Sequence, residues 1–119
     1  MSELALIIED DEDLSDIFAE ALQNAGYEVE TVRDGELARQ RLTEIVPSIV
    51  LLDMHLPKVA GPELLAGIRS DPRLTGVRVV VTTADARLGD EFREVADFVL
   101  IKPISFVQLR DLTKRLHHA

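Results

Sequence analysis

Short apolar runs alternate with segments of helical apolar spacing five times along this chain, and this alternation restricts the fold more than any other feature. "LALII" (4–8) reads as a strand. Leu14, Ile17, Phe18, Ala21, Leu22 and Ala25 then recur along one helical face, which Gly26 ends. "YEVETV" (27–32) alternates as a half-exposed strand does. Asp34 is placed to cap a helix carrying Leu37, Ala38, Leu42 and Ile45, which Pro47 closes. "IVLL" (49–52) reads as a strand buried on both faces, and Gly61–Pro62 suits the start of a helix bearing Leu64, Leu65 and Ile68. "SDPR" (70–73) is a turn before a fourth strand, "VRVVVT" (77–82). Leu88, Phe92 and Val95 predict a weak fourth helix, diluted by Gly89. "FVLI" (98–101) is the fifth strand, and Ser105 with Gln108 forms a capping box before Leu109, Leu112 and Leu116.

Five strand–helix pairs predict one α/β domain, a parallel sheet with helices on both faces. Right-handed crossovers leave few topologies. The alternating second strand suits an edge, and strands one and three suit the centre. That favours the order 2-1-3-4-5, with a switch point between strands one and three. The fifth strand is more apolar than an edge requires.

The 119 residues suffice for a single domain spanning 1–119 with a proper core. No run reaches the ~18 apolar residues of a membrane span, and the N-terminus lacks the basic and apolar regions of a signal peptide. A cytoplasmic location is therefore expected. The absence of cysteine excludes disulfides and thiolate metal sites. The formal charge is −9, with 13 basic residues scattered among 22 acidic ones, which argues against direct nucleic-acid binding.

Ligands of open parallel sheets bind beyond the carboxyl ends of the strands. "EDDED" (9–13) follows strand one, Asp53 follows strand three, Thr82, Thr83 and Asp85 follow strand four, and Lys102 follows strand five. A buried strand that ends on a carboxylate needs either a solvated turn or a nearby cation, because desolvating a lone charge is costly. Glu9, Asp10 and Asp53 would converge at the central crevice, where their repulsion invites a divalent cation; Mg²⁺, which takes oxygen ligands, is the natural candidate. Lys102 adds fixed positive charge and the Thr hydroxyls can donate to an oxyanion. Together they make a phosphoryl-transfer site in which a carboxylate can be the nucleophile. Taken singly, each has a plainer reading. "EDDED" suits a helix N-terminus, Asp53 a turn, Thr83 a strand-end hydroxyl, and Lys102 a solvated charge. Their meeting at one crevice is what favours chemistry.

"LIIEDDEDL", "VLLDMHLPKVAG", "VVVTTAD" and "FVLIKPI" resemble, in order and spacing, the motifs of response-regulator receiver domains, over essentially the whole chain. The resemblance implies the flavodoxin-like sheet. It implies that Asp53 accepts a phosphoryl group from a histidine kinase or phosphotransfer protein. Asp10 and Asp53 would bind Mg²⁺ directly, Glu9 mainly through water, and the His55 carbonyl would be a further ligand. Thr83 and Lys102 would hold the phosphoryl oxygens, and the Lys102–Pro103 bond would be cis. Asp11 matches no invariant role. The His55 side chain is expected to flank the site as an exposed modulator; His117 and His118 receive no function.

Three other functions compete with a phosphorylation switch that acts on an output domain or effector protein. A docking module that is never phosphorylated has no need of the complete acid, Thr and Lys set. Aspartate-nucleophile phosphatases place a D-x-D pair after one strand, whereas these acids come from two. There is no G-x-x-x-x-G-K-[ST] loop for nucleotide hydrolysis. One departure from the family stands out. Receivers usually carry Tyr or Phe three residues before the lysine, and here that position is Val99, stiff and short. Phe98 beside it should face the other side of the sheet.

Overall fold

Every apolar run named above is a strand of one sheet. The computed structural model describes residues 3–117. The elements are β1 (Glu3–Ile8), α1 (Glu12–Asn24), β2 (Tyr27–Val32), α2 (Gly35–Glu44), β3 (Ile49–Asp53), α3 (Gly61–Ser70), β4 (Arg78–Thr83), α4 (Ala86–Glu91), β5 (Phe98–Ile101) and α5 (Phe106–Arg115), with a 3₁₀ turn at Pro72–Leu74. All strand pairs are parallel and their order is β2-β1-β3-β4-β5, as the patterning predicts.

Two apolar layers enclose the sheet. Alternate residues of the central strands face opposite sides, as strand geometry requires. Leu6, Ile8, Val50, Leu52, Val79 and Val81 pack with Ala38, Leu42, Leu64, Leu65 and Ile68 of α2 and α3. Ala5, Ile7, Ile49, Leu51 and Val80 pack with Phe18, Ala21, Leu22, Leu109 and Leu112 of α1 and α5. At ~1.5–3 kcal/mol for each fully buried large aliphatic side chain, these two layers are the main source of stability.

The helix starts follow the capping residues. Asp11 accepts from the Leu14 amide at 3.0 Å, Asp34 from Leu37 at 2.8 Å and Ser105 from Gln108 at 3.0 Å. Asp11, without an expected role, is thus the N-cap of α1. Gly26 follows α1 with φ of 105°, a backbone that L side chains rarely adopt. His117, likewise without an expected role, is structural: its Nε2 lies 3.0 Å from the Gly26 carbonyl and its ring meets Tyr27 edge-on at 4.8 Å. His118 lies outside the described residues.

Two local expectations need correction. Helix α4 ends at Glu91, and turns carry the chain from Phe92 to Asp97, leaving Val95 at the surface. Its cap is Asp85, so it begins before its first large apolar residue, and one glycine in six positions makes a longer helix costly. Ser70 belongs to α3, and the turn proper is the 3₁₀ segment that Asp71 caps. The apolar β5 is the edge, as the expected order has it: Phe98 is 40% exposed, while Val99 joins the α2–α3 layer and Leu100 the α1–α5 layer. Packing of helices on both faces of β5 accounts for its apolarity. No helix among the described residues is long and apolar enough to cross a membrane.

Candidate functional site

The carboxyl ends of β1, β3, β4 and β5 meet at one end of the sheet, and each delivers one part of the site. Past β1, the Glu9 amide donates to the Val32 carbonyl at 3.1 Å, which fixes Glu9 beside the β1–β3 crevice. Asp53 is the last residue of β3, in register with Thr82, and is only 3% exposed. Asp10 stands at the open side. Glu9, Asp10 and Asp53 each place a carboxylate oxygen within 4.8 Å of the others.

Lys102 follows β5, and its amide donates to the Thr83 carbonyl at 2.8 Å, so the lysine and the threonine leave the same ladder. Its Nζ lies 2.9 Å from Glu9 Oε1 and 3.5 Å from Asp53 Oδ1. The Lys102–Pro103 bond is cis, as expected. Thr83 is fully buried; its Oγ1 accepts from the Asp85 amide at 3.0 Å and stands 3.5 Å from His55 Nε2. The exposed His55 therefore flanks the site, while its amide donates to Asp53 Oδ1 at 3.2 Å.

The electrostatics follow from burial. Desolvation pushes the Glu9 carboxyl above its usual range and Asp53 adds to the rise; the hydrogen bonds from Lys102 and the Asp11 amide oppose it. Burial also works against the Lys102 charge, but Glu9 and Asp53 outweigh it and raise its pKa, so the ammonium persists. A buried carboxylate pair with one bonded cation still carries an excess of negative charge once Asp10 is counted. Hard oxygen donors with that excess can hold a divalent metal ion.

All the residues singled out from sequence thus come together: Glu9, Asp10, Asp53, His55, Thr83 and Lys102. What the sequence did not reveal is that the lysine's nearest partner is Glu9, or that the Asp85 amide engages the Thr83 hydroxyl. Asp85 two residues after a strand-end Thr was the available signal for that turn. A groove of about 350 Å³ lies elsewhere, between α2 and α3, lined by Leu42, Leu64 and Ile68, and shares none of these groups.

Comparison with known proteins agrees with this geometry. The family model described as "Response regulator receiver domain" matches residues 5–114. The chain is 32% identical over 113 residues to the phosphate regulon transcriptional regulatory protein PhoB of Rhizobium meliloti, an alignment covering 92% of this chain and 50% of that protein. It is 33% identical over 93 residues to the polar-differentiation response regulator DivK of Brucella ovis, covering 78% of this chain and 76% of the relative. The chain thus spans about half the length of the first of these relatives. Its fold superposes on the chemotaxis response regulator CheY4 of Vibrio cholerae with a TM-score of 0.88 at 23% identity, over 98% of this chain and 100% of that one. With a strand order, an acid crevice and a sequence match that coincide over nearly its whole length, the chain belongs to the response regulator receiver domain family.

Proposed function

We propose that residues 1–119 act as a single phosphorylation-driven switch, with Asp53 as the phosphoacceptor. The observation that carries this reading is the convergence of a nearly buried Asp53 with Glu9, Asp10 and Lys102 at one strand-end crevice. An Asp53 oxygen attacks phosphorus; the bond from phosphorus to the donor breaks, and its electron pair leaves with the donor. When that donor is a phosphohistidine, the pair returns to an imidazole nitrogen. Lys102 balances the negative charge that Asp53 brings and that the phosphoryl group increases. The Thr83 hydroxyl donates to a phosphoryl oxygen once it turns from the Asp85 amide. Asp10 and Asp53 would hold Mg²⁺, with Glu9 beside them and the His55 carbonyl as a further ligand; when bound, the ion neutralises charge on the phosphoryl oxygens.

Receiver domains work with histidine kinases or phosphotransfer proteins, and one of these is the proposed donor here. The proposed location is the cytoplasm, where such donors present their phosphohistidine. Incubation with acetyl phosphate and Mg²⁺ is expected to add one phosphoryl group, labile to hydroxylamine as acyl phosphates are, and Asp53→Asn is expected to prevent it. Full labelling of Asp53→Asn would reject the assignment. No labelling of the parent by acetyl phosphate or by any phosphohistidine donor would favour an unphosphorylated docking module.

A further inference from the structure

The first turns of α4 are fastened to Thr83 at two points. The Thr83 Oγ1 accepts from the Asp85 amide at 3.0 Å, and Asp85 in turn caps α4 through the amides of Arg87 and Leu88. One turn on, Gly89 is buried against the sheet. A Cβ built there would fall 2.9 Å from Val99 Cγ1, 3.0 Å from Ile101 Cδ1 and 3.4 Å from Thr83 Cγ2. The Gly89 backbone has no positive φ that would call for glycine. Its use is therefore close approach: it lets α4 rest directly on β5 and on the Thr83 methyl. Glycine in a helix interior costs about 1 kcal/mol against alanine, so only that contact offsets its presence.

Val99 makes this seat rigid. It stands where receivers usually carry an aromatic ring, and a β-branched side chain on a strand has few rotamers with which to yield. Turning the Thr83 side chain toward a phosphoryl group on Asp53 carries Oγ1 away from the Asp85 amide from which it now accepts. A turn of Thr83 therefore disturbs both fastenings of α4, and anything that loosens α4 frees Thr83.

We propose that Gly89 is a positioning residue for Thr83: by seating α4 on Val99 and Ile101, it holds the Thr83 hydroxyl on the Asp85 amide and so sets the balance between the resting and switched states. This rests on the reading of Asp53 as phosphoacceptor. Such a residue acts on affinity through population, because a ligand that needs the minor state binds more weakly by the fraction in which that state is present. Weakening the seat must then tighten binding of a phosphoryl mimic.

The test is titration of the full chain with beryllofluoride in the presence of Mg²⁺, followed by amide chemical shifts. Gly89→Ala is expected to strengthen binding roughly three- to tenfold, and Val99→Ala in that background to restore the parent affinity by making room for the new methyl. Val99→Leu, which adds bulk from the strand side, is expected to act in the same direction and serves if Gly89→Ala does not fold. Unchanged or weaker binding in both variants, whatever the change in melting temperature, would overturn the proposal while leaving Asp53 in its role. Absence of shifts at Asp53 and Lys102 in the parent would remove the reading on which the proposal rests, and the proposal with it.

Discussion

Lys102 Nζ is bonded to Glu9 Oε1 at 2.9 Å and stands 3.5 Å from Asp53 Oδ1. The lysine thus bonds first to the acid of β1, and under the proposed phosphorylation of Asp53 it would be drawn across to the phosphoryl group. Lys102→Ala is expected to remove a charge-assisted contact worth about 1.5–3 kcal/mol in the transition state, slowing phosphorylation by acetyl phosphate roughly 10- to 150-fold. The same substitution leaves Glu9 buried without its cation. A carboxyl whose folded pKa is raised contributes stability below its unfolded pKa and loses it as pH rises. The stability deficit of the variant in urea melts is therefore expected to be larger at pH 8 than at pH 5. An unaltered phosphorylation rate would show that the lysine has no part in transfer.

A divalent cation at the acid crevice would relieve repulsion among Glu9, Asp10 and Asp53. At ten times its dissociation constant, a ligand that binds only the folded chain stabilises it by about 1.4 kcal/mol. Mg²⁺ is expected to raise the melting temperature accordingly, and Asp10→Ala to abolish the rise. A melting temperature indifferent to Mg²⁺, with no heat in calorimetry, would contradict a Mg²⁺ site.

Tyr27 is buried at the opposite end of the sheet and donates to the Thr113 carbonyl at 2.9 Å. Burial, with the nearby Glu3 carboxylate, pushes its phenol up to about 12 from an ordinary 10. The folded state therefore favours the neutral phenol. Its contribution is complete below pH 10 and is lost as pH rises toward 12. Tyr27→Phe is expected to cost about 1 kcal/mol at pH 7 and to flatten the fall in stability between pH 10 and 12. Urea melts across that interval check it; an equally steep fall in the variant would refute the assignment.

The end of α2 depends on a residue remote in sequence. Arg73 donates to the Leu42 carbonyl at 2.7 Å from Nη2 and 3.2 Å from Nη1, satisfying one of the carbonyls that a helix C-terminus leaves open. Arg73→Ala is expected to destabilise the fold by about 1–2 kcal/mol without changing phosphorylation by acetyl phosphate. Thermal melts paired with labelling would reveal a dual role if both quantities fell.

Much of this protein is local in origin. The strand runs, the capping residues Asp34 and Ser105, and the stop at Gly26 act over a few residues, and their physics is complete within a short window of sequence. The sheet order followed because handed crossovers and burial patterns exclude most alternatives. Through that order, the sequence alone places Glu9, Asp10, Asp53, Thr83 and Lys102 at one crevice. Tertiary structure alone decided which of these groups bond to one another. The choice of Glu9 over Asp53 by Lys102, the carbonyl that Arg73 reaches, and the seat of Gly89 on Val99 join residues up to 93 positions apart, and for Lys102 the choice is between 2.9 and 3.5 Å. Periodicity and propensity carry no information at that scale. Packing does, because a close-packed interior turns small differences in shape into definite contacts.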